Sequence, residues 1–230
     1  MVNPNKNYEI NTSFGFFGRE VIKTHFIGVG EDIFELAEAY MCPHCNNADM
    51  IAISSKIVSL CQKRVVYKKD MKLCQLAKFL SKFATSNDTG VGVNCVWKMQ
   101  YAIDYCGRLK VLLAAVCSGL GKLVGKKGIF YDIVGIEIRG LDGFYDKSFR
   151  QYGEYGIQIP VNCDELCEKL SERIGVPVFI ADANDFTRDI FGKSGSVTYT
   201  DAQLCEILRD NPAGQSDQCT PFIIIRKVER

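Results

Sequence analysis

Met50-Ile51-Ala52-Ile53-Ser54-Ser55-Lys56-Ile57-Val58-Ser59-Leu60 changes character half-way along. The first four residues form a continuous apolar run, the mark of a strand buried on both faces. Ser54-Ser55-Lys56 ends that run, and Ile57, Val58 and Leu60 open a helix. Upstream, Val21–Ile27 alternates as a strand. Gly30 then precedes Glu31-Asp32, and Ile33, Phe34, Leu36 and Ala37 follow at helical spacing, with acid in the first turn. Downstream, Met71–Phe83 and Val96–Tyr105 have helical spacing, and Ile129–Ile138 reads as a long strand interrupted by Gly135. Cys163–Ile174 is a helix, Pro177–Ala181 a short strand, Ala202–Leu208 a helix and Pro221–Ile225 a last strand. Strands and helices mix without strict alternation, which predicts α+β rather than a doubly wound α/β sheet.

A chain of 230 residues suits one domain, 1–230, or two interwoven lobes with a weak boundary in the glycine-rich stretch Gly119–Gly128. Its 47% apolar and 24% charged residues are ordinary globular usage. A net charge of +1 supplies no global field that would draw the protein onto nucleic acid or an anionic membrane, and its basic pairs lack a stacking platform for nucleic acid. Met1–Glu9 lacks the apolar core of a signal peptide. The longest apolar run, Val111–Gly121, is bracketed by Lys110 and Lys122 and falls short of the about 20 residues a bilayer needs. The expectation is a cytoplasmic protein with no membrane and no nucleic acid among its partners, its 11 scattered cysteines being thiols in a reducing compartment. Several, such as Cys106, Cys117 and Cys167, read as small core residues.

Two motifs carry weak chemistry. Cys42-Pro43-His44-Cys45 has thiol-oxidoreductase spacing but follows a helix, where the dipole opposes a thiolate. Two free thiols in a loop, or a zinc site completed by His44 or His25, are the other readings, and no second paired-cysteine motif exists. Gly119-Leu120-Gly121-Lys122 is not a P-loop, because Val116 and Leu123 stand where glycine and a hydroxyl residue belong. With Lys122, Lys126 and Lys127 it reads as a glycine-rich turn, either a phosphate cradle or solvated.

Two carboxylates stand out. The strand from Pro177 delivers Asp182-Ala183-Asn184-Asp185 into a loop, and the strand from Ile129 delivers Gly140-Leu141-Asp142-Gly143. Such oxygens suit Mg2+ or Mn2+ if the loops converge; Asp and Asn are equally turn formers.

Several segments together resemble the coenzyme F-420 gamma-glutamyl ligase family. They are Gly30-Glu31-Asp32, Ile51 to Ser59 and Arg64-Val65-Val66, with Gly140-Leu141-Asp142 and Ile180-Ala181-Asp182 resembling that family's two metal loops. The resemblance implies a ligase-like fold and homodimer. The implied activity is an amide ligase that uses GTP and Mg2+ or Mn2+ to add L-glutamate, or another amino acid, to a carboxylate through an acyl phosphate. It implies Ser54, Ser55 and Lys56 as nucleotide-binding residues and Asp142 and Asp182 as metal ligands, with Asp32, Asn184, Asp185 and Lys122 as additional site residues. Read without it, Lys56 is a helix-start lysine and Asp32 a cap. Lys98-Met99-Gln100, Asp210-Asn211-Pro212 and Gly214-Gln215 are similar to a less characterised ligase-like branch. Ala183 stands where that family has Thr, and no Gly-Arg pair or nearby Gly-Gln pair follows. The altered residues give a second reading, a non-catalytic or repurposed metal- and nucleotide-binding member.

Overall fold

The three apolar runs read as buried strands are strands, and they pair with one another. A computed structural model describes residues 3, 6–47, 49–84, 92–145, 150–183, 188–214 and 218–228. Asn184, Asp185 and Gln215 lie outside the described residues. The chain divides into two compact units, one made of 1–64 and 160–230, the other of 65–159. The glycine-rich stretch 119–128 lies inside the second.

In the first unit, the elements are β1 (Glu9–Thr12), β2 (Gly15–Ile22), α1 (Ile33–Met41), β3 (Met50–Ser54) and α2 (Ser55–Cys61) from its first segment. Its second segment adds α8 (Cys163–Ile174), β7 (Val178–Ala183), β8 (Arg188–Lys193), α9 (Asp201–Ile207) and β9 (Phe222–Val228). Among the described residues, six strands form one sheet in the order β1-β2-β9-β3-β7-β8. The β3–β7 pair is parallel and its neighbours are antiparallel, so the sheet is mixed, and with its helices the fold is α+β.

Alternation sorts the central strands between two faces. Phe17, Met50, Ala52, Phe179, Ile223 and Ile225 share a core with Leu204, Ile207 and Leu208 from α9 and the residue after it. The intervening Ile51, Ile53, Val178, Ile180 and Ile224 are also buried, and α8 packs on β7 and β8 while α1 packs on α8. Cover on both faces explains why these strands are unbroken apolar runs. α1 starts where the sequence puts it, with Asp32 as its N-cap.

The second unit holds β4 (Val65–Tyr67), α3 (Gln75–Phe83), α4 (Val96–Cys106), α5 (Arg108–Leu123), α6 (Ile129–Val134), α7 (Ile136–Arg139), β5 (Asp142–Gly143) and β6 (Tyr155–Ile157). Its strands form a small antiparallel sheet, β4-β6-β5. Gly143 has φ +85°, and a Cβ there would run into the Tyr155 carbonyl of β6, so only glycine lets these strands close.

Four expectations fail here, the first being the strand read over Val21–Ile27, since β2 runs Gly15–Ile22 and stops there. Ile129–Ile138 is not a strand but the helices α6 and α7, broken at Gly135 with φ +101°. Its β-branched and aromatic residues favour a strand, but Phe130, Val134 and Ile138 are buried in one core while Asp132 and Ile136 between them are exposed, which the two-residue period of a strand forbids and helical spacing allows. Gly119-Leu120-Gly121-Lys122 is no turn, being the last part of the 16-residue α5. Gly121 belongs in the helix because a Cβ there would collide with Ile129. The helix expected from Met71 begins only at Gln75, after a short 3-10 turn at Lys68–Asp70. No helix among the described residues is long and apolar enough to cross a membrane.

Candidate functional site

The parallel register of β3 and β7 brings together two segments more than 120 residues apart in sequence. Ser54 is the Cα partner of Ala181, so Asp182 lies one residue beyond, alongside the start of α2 with Ser55 and Lys56. Ser54 is the N-cap of α2, and its backbone N–H donates to the Pro221 carbonyl at 2.9 Å. Ser55 is buried and Lys56 is half-buried.

Asp182 is not in a loop, as its sequence suggests. β7 runs through Ala183 and returns as β8, and Asp182 is the direct cross-strand partner of Asp189. Directly opposed residues of an antiparallel pair project to the same face, and like charges there repel. A cation between these carboxylates would relieve that repulsion. The donor set is hard oxygen, and Mg2+ is commonly held by one or two carboxylates with phosphate oxygens and water completing its shell. Among the described residues no group of three or more His, Cys, Asp or Glu side chains is placed to hold a metal ion.

β2 and β9 end at the same edge, because Ile22, Phe222 and Ile53 are in register. Just beyond Ile22, the Thr24 N–H donates to the Cys219 carbonyl at 2.8 Å. His25 follows, its Nε2 2.8 Å from Glu31 Oε2 and its Nδ1 2.7 Å from the Tyr40 hydroxyl. Burial raises the Glu31 pKa, but the Gly28 N–H and His25 together outweigh it and hold this carboxyl below its ordinary value. An imidazole oriented by a carboxylate and a phenol, and itself half exposed, is equipped to carry a proton. Sequence reading missed this trio, because three residues spread over Thr24–Tyr40 show no spacing motif.

No family model matches the chain, and no curated protein matches it.

The remaining site residues fall elsewhere. The Asp32 carboxylate accepts from the Phe34 N–H at 2.7 Å and the Glu35 N–H at 3.3 Å, so it is used as the cap of α1. Lys122 is exposed in the last turn of α5, in the second unit. Asp142 also belongs to the second unit, whereas Asp182 belongs to the first. The Tyr145 hydroxyl donates to the Asp142 carboxylate. Near it, Lys98 of α4 is fully buried, its ammonium donating to the Leu141 carbonyl at 2.6 Å and the Arg139 carbonyl at 3.3 Å. Burial pulls the Lys98 pKa down to about 8 against the opposing field of Asp142.

The paired-cysteine motif is a turn after α1, as expected. Burial, with Asp49 adding to it, pushes the Cys45 thiol up to about 11. A redox nucleophile needs the opposite shift. Cys45 is therefore expected to resist iodoacetamide at pH 7.5, with mass spectrometry of alkylated peptides as the check; rapid labelling there would restore the redox reading.

Proposed function

We propose that the end of the first unit's sheet binds a nucleoside triphosphate with a divalent metal ion. There the chain would activate a substrate carboxylate as an acyl phosphate and pass it to the amine of L-glutamate or another amino acid. The observation that carries this reading is the β3–β7 register, which sets Ser54-Ser55-Lys56 beside Asp182. The reading is also supported by the resemblance of those two segments to the F-420 gamma-glutamyl ligase family, whose fold and GTP use it adopts.

In this reading Lys56 supplies fixed positive charge to the phosphates, and Ser54 and Ser55 supply hydroxyl and backbone donors. Asp182 and Asp189 would hold Mg2+ or Mn2+. When bound, that ion neutralises charge on the phosphate oxygens. His25, oriented by Glu31 and Tyr40, takes the proton that the attacking amine gives up.

A second reading, a metal- and nucleotide-binding protein without ligase activity, is favoured by one observation. The Asp142 loop, first of the two metal loops by resemblance, uses its carboxylate on Tyr145 and its carbonyls on Lys98.

The test is calorimetric titration of GTP, with Mg2+ or Mn2+ and without, into wild type and Asp182→Asn. The expected result is metal-dependent binding that Asp182→Asn weakens roughly tenfold or more, as losing a charged metal ligand should. GTP binding without metal dependence, or no binding, would overturn the proposal. Phosphate release stimulated by an added amine acceptor separates the ligase from the non-catalytic reading.

A further inference from the structure

α5 is apolar on two opposite sides. Val111, Ala114 and Gly121 are buried in the second unit's core or against it. The opposite side exposes Leu109, Leu112, Leu113, Val116, Leu120 and Leu123, with Leu109 84% and Leu123 83% exposed. At about 100° per residue these six fall within an arc of roughly 120° that holds aliphatic side chains only. A helix apolar all round is normally covered all round.

Charge indicates what covers it. From Arg108 to Gly128 the chain carries Arg108, Lys110, Lys122, Lys126 and Lys127 and no Asp or Glu. The net charge of +1 conceals a segregation. Residues 65–159 hold 14 Lys and Arg against 8 Asp and Glu, a net +6, while the other unit holds 14 against 19, a net −5. Arg108 and Lys110 flank the aliphatic arc on either side, where long basic side chains reach lipid headgroups while the apolar face sinks into the acyl boundary. Pairing α5 with α5 of a second copy would instead oppose its three cations, Arg108, Lys110 and Lys122, to the same three, with no acid on the helix to answer them.

We propose that the exposed face of α5 docks this protein onto an anionic lipid surface, lying in the interface without crossing it. The 16-residue helix is too short to span a bilayer and long enough to lie on one.

The test is co-sedimentation of the full chain with vesicles of phosphatidylserine mixed with phosphatidylcholine, and with phosphatidylcholine alone. Size-exclusion chromatography with light scattering runs alongside. Wild type should bind the anionic vesicles, and less at high salt. Lys110→Ala should weaken binding about fivefold, the worth of one basic residue near a charged membrane. Leu113→Glu/Leu120→Glu should abolish it with circular dichroism unchanged, since both side chains are exposed. Equal or absent binding to the two vesicle types would overturn the proposal, and so would unimpaired binding by the double variant. A wild-type dimer that the double variant dissociates, without vesicle binding, would assign the face to self-association and equally overturn it.

Discussion

Arg19→Met is expected to lower the unfolding free energy by about 2–4 kcal/mol, somewhat under the range of about 3–5 kcal/mol for breaking a fully buried charge pair, because the Asp210 side chain is 34% exposed. Arg19 on β2 is 1% exposed. Its guanidinium grips the Asp210 carboxylate with both terminal nitrogens, and donates to the Ile207 carbonyl at 3.0 Å and the Asn7 carbonyl at 2.8 Å. Ile207 ends α9, so one of that helix's orphan carbonyls depends on this side chain. Methionine fills similar volume but leaves these acceptors without their donor. Burial works to raise the Asp210 pKa, yet Arg19 overcomes it and holds the carboxyl below its ordinary value. A carboxyl depressed in the folded state stabilises above its unfolded pKa of about 3.9 and loses that contribution as pH falls through the folded value. The gap between wild type and Arg19→Met should therefore narrow in acid. Urea unfolding at pH 7 and pH 3 measures both; a gap below about 1 kcal/mol at pH 7 would show that the pair is dispensable.

Lys98→Met is expected to cost about 2–4 kcal/mol at pH 7. It leaves the Leu141 and Arg139 carbonyls without a donor and Asp142 without its neighbouring cation. The pH dependence carries the sharper signature. The folded Lys98 pKa, about 8, lies below the ordinary 10.5. Between these values the unfolded chain holds a proton that the folded one has released, so stability from this group rises with pH across that window. Below pH 8 both states are charged and burial costs the folded state most. Wild type should therefore gain stability relative to Lys98→Met from pH 8 to pH 10, in urea titrations of each protein. A difference that stays flat, or shrinks, would mean that Lys98 keeps its proton and that the carbonyls and Asp142 fully offset its burial.

The buried lysine and buried arginine share a reason for escaping sequence reading. Lys98 sits in Trp97-Lys98-Met99 at the start of a helix, and Arg19 in a strand among Gly18 and Glu20; nothing local marks either as interior. All their acceptors but the Asn7 carbonyl lie 41 to 191 residues away. The His25–Glu31–Tyr40 trio was equally silent, because a histidine three residues after a strand acquires its partners only when the chain folds back over it.

By itself the sequence determined the local elements whose causes lie within a few residues. The unbroken apolar runs at Met50–Ile53, Pro177–Ala181 and Pro221–Ile225 read as strands, and Asp32 before Ile33 reads as the start of a helix. These sufficed for the α+β class. The tertiary structure alone decided which strands pair and in what register. That register turned Ser54-Ser55-Lys56 and Asp182 into neighbours, put Asp189 opposite Asp182, and left Asp142 in a different unit. It also overrode the strand preference of Ile129–Ile138, where burial of Phe130, Val134 and Ile138 in one core is worth more than the β propensity of single residues. Propensity and capping are summed over adjacent residues, and so are written along the chain. Pairing, burial and charge segregation depend on residues brought together across most of its length, where no short pattern can record them.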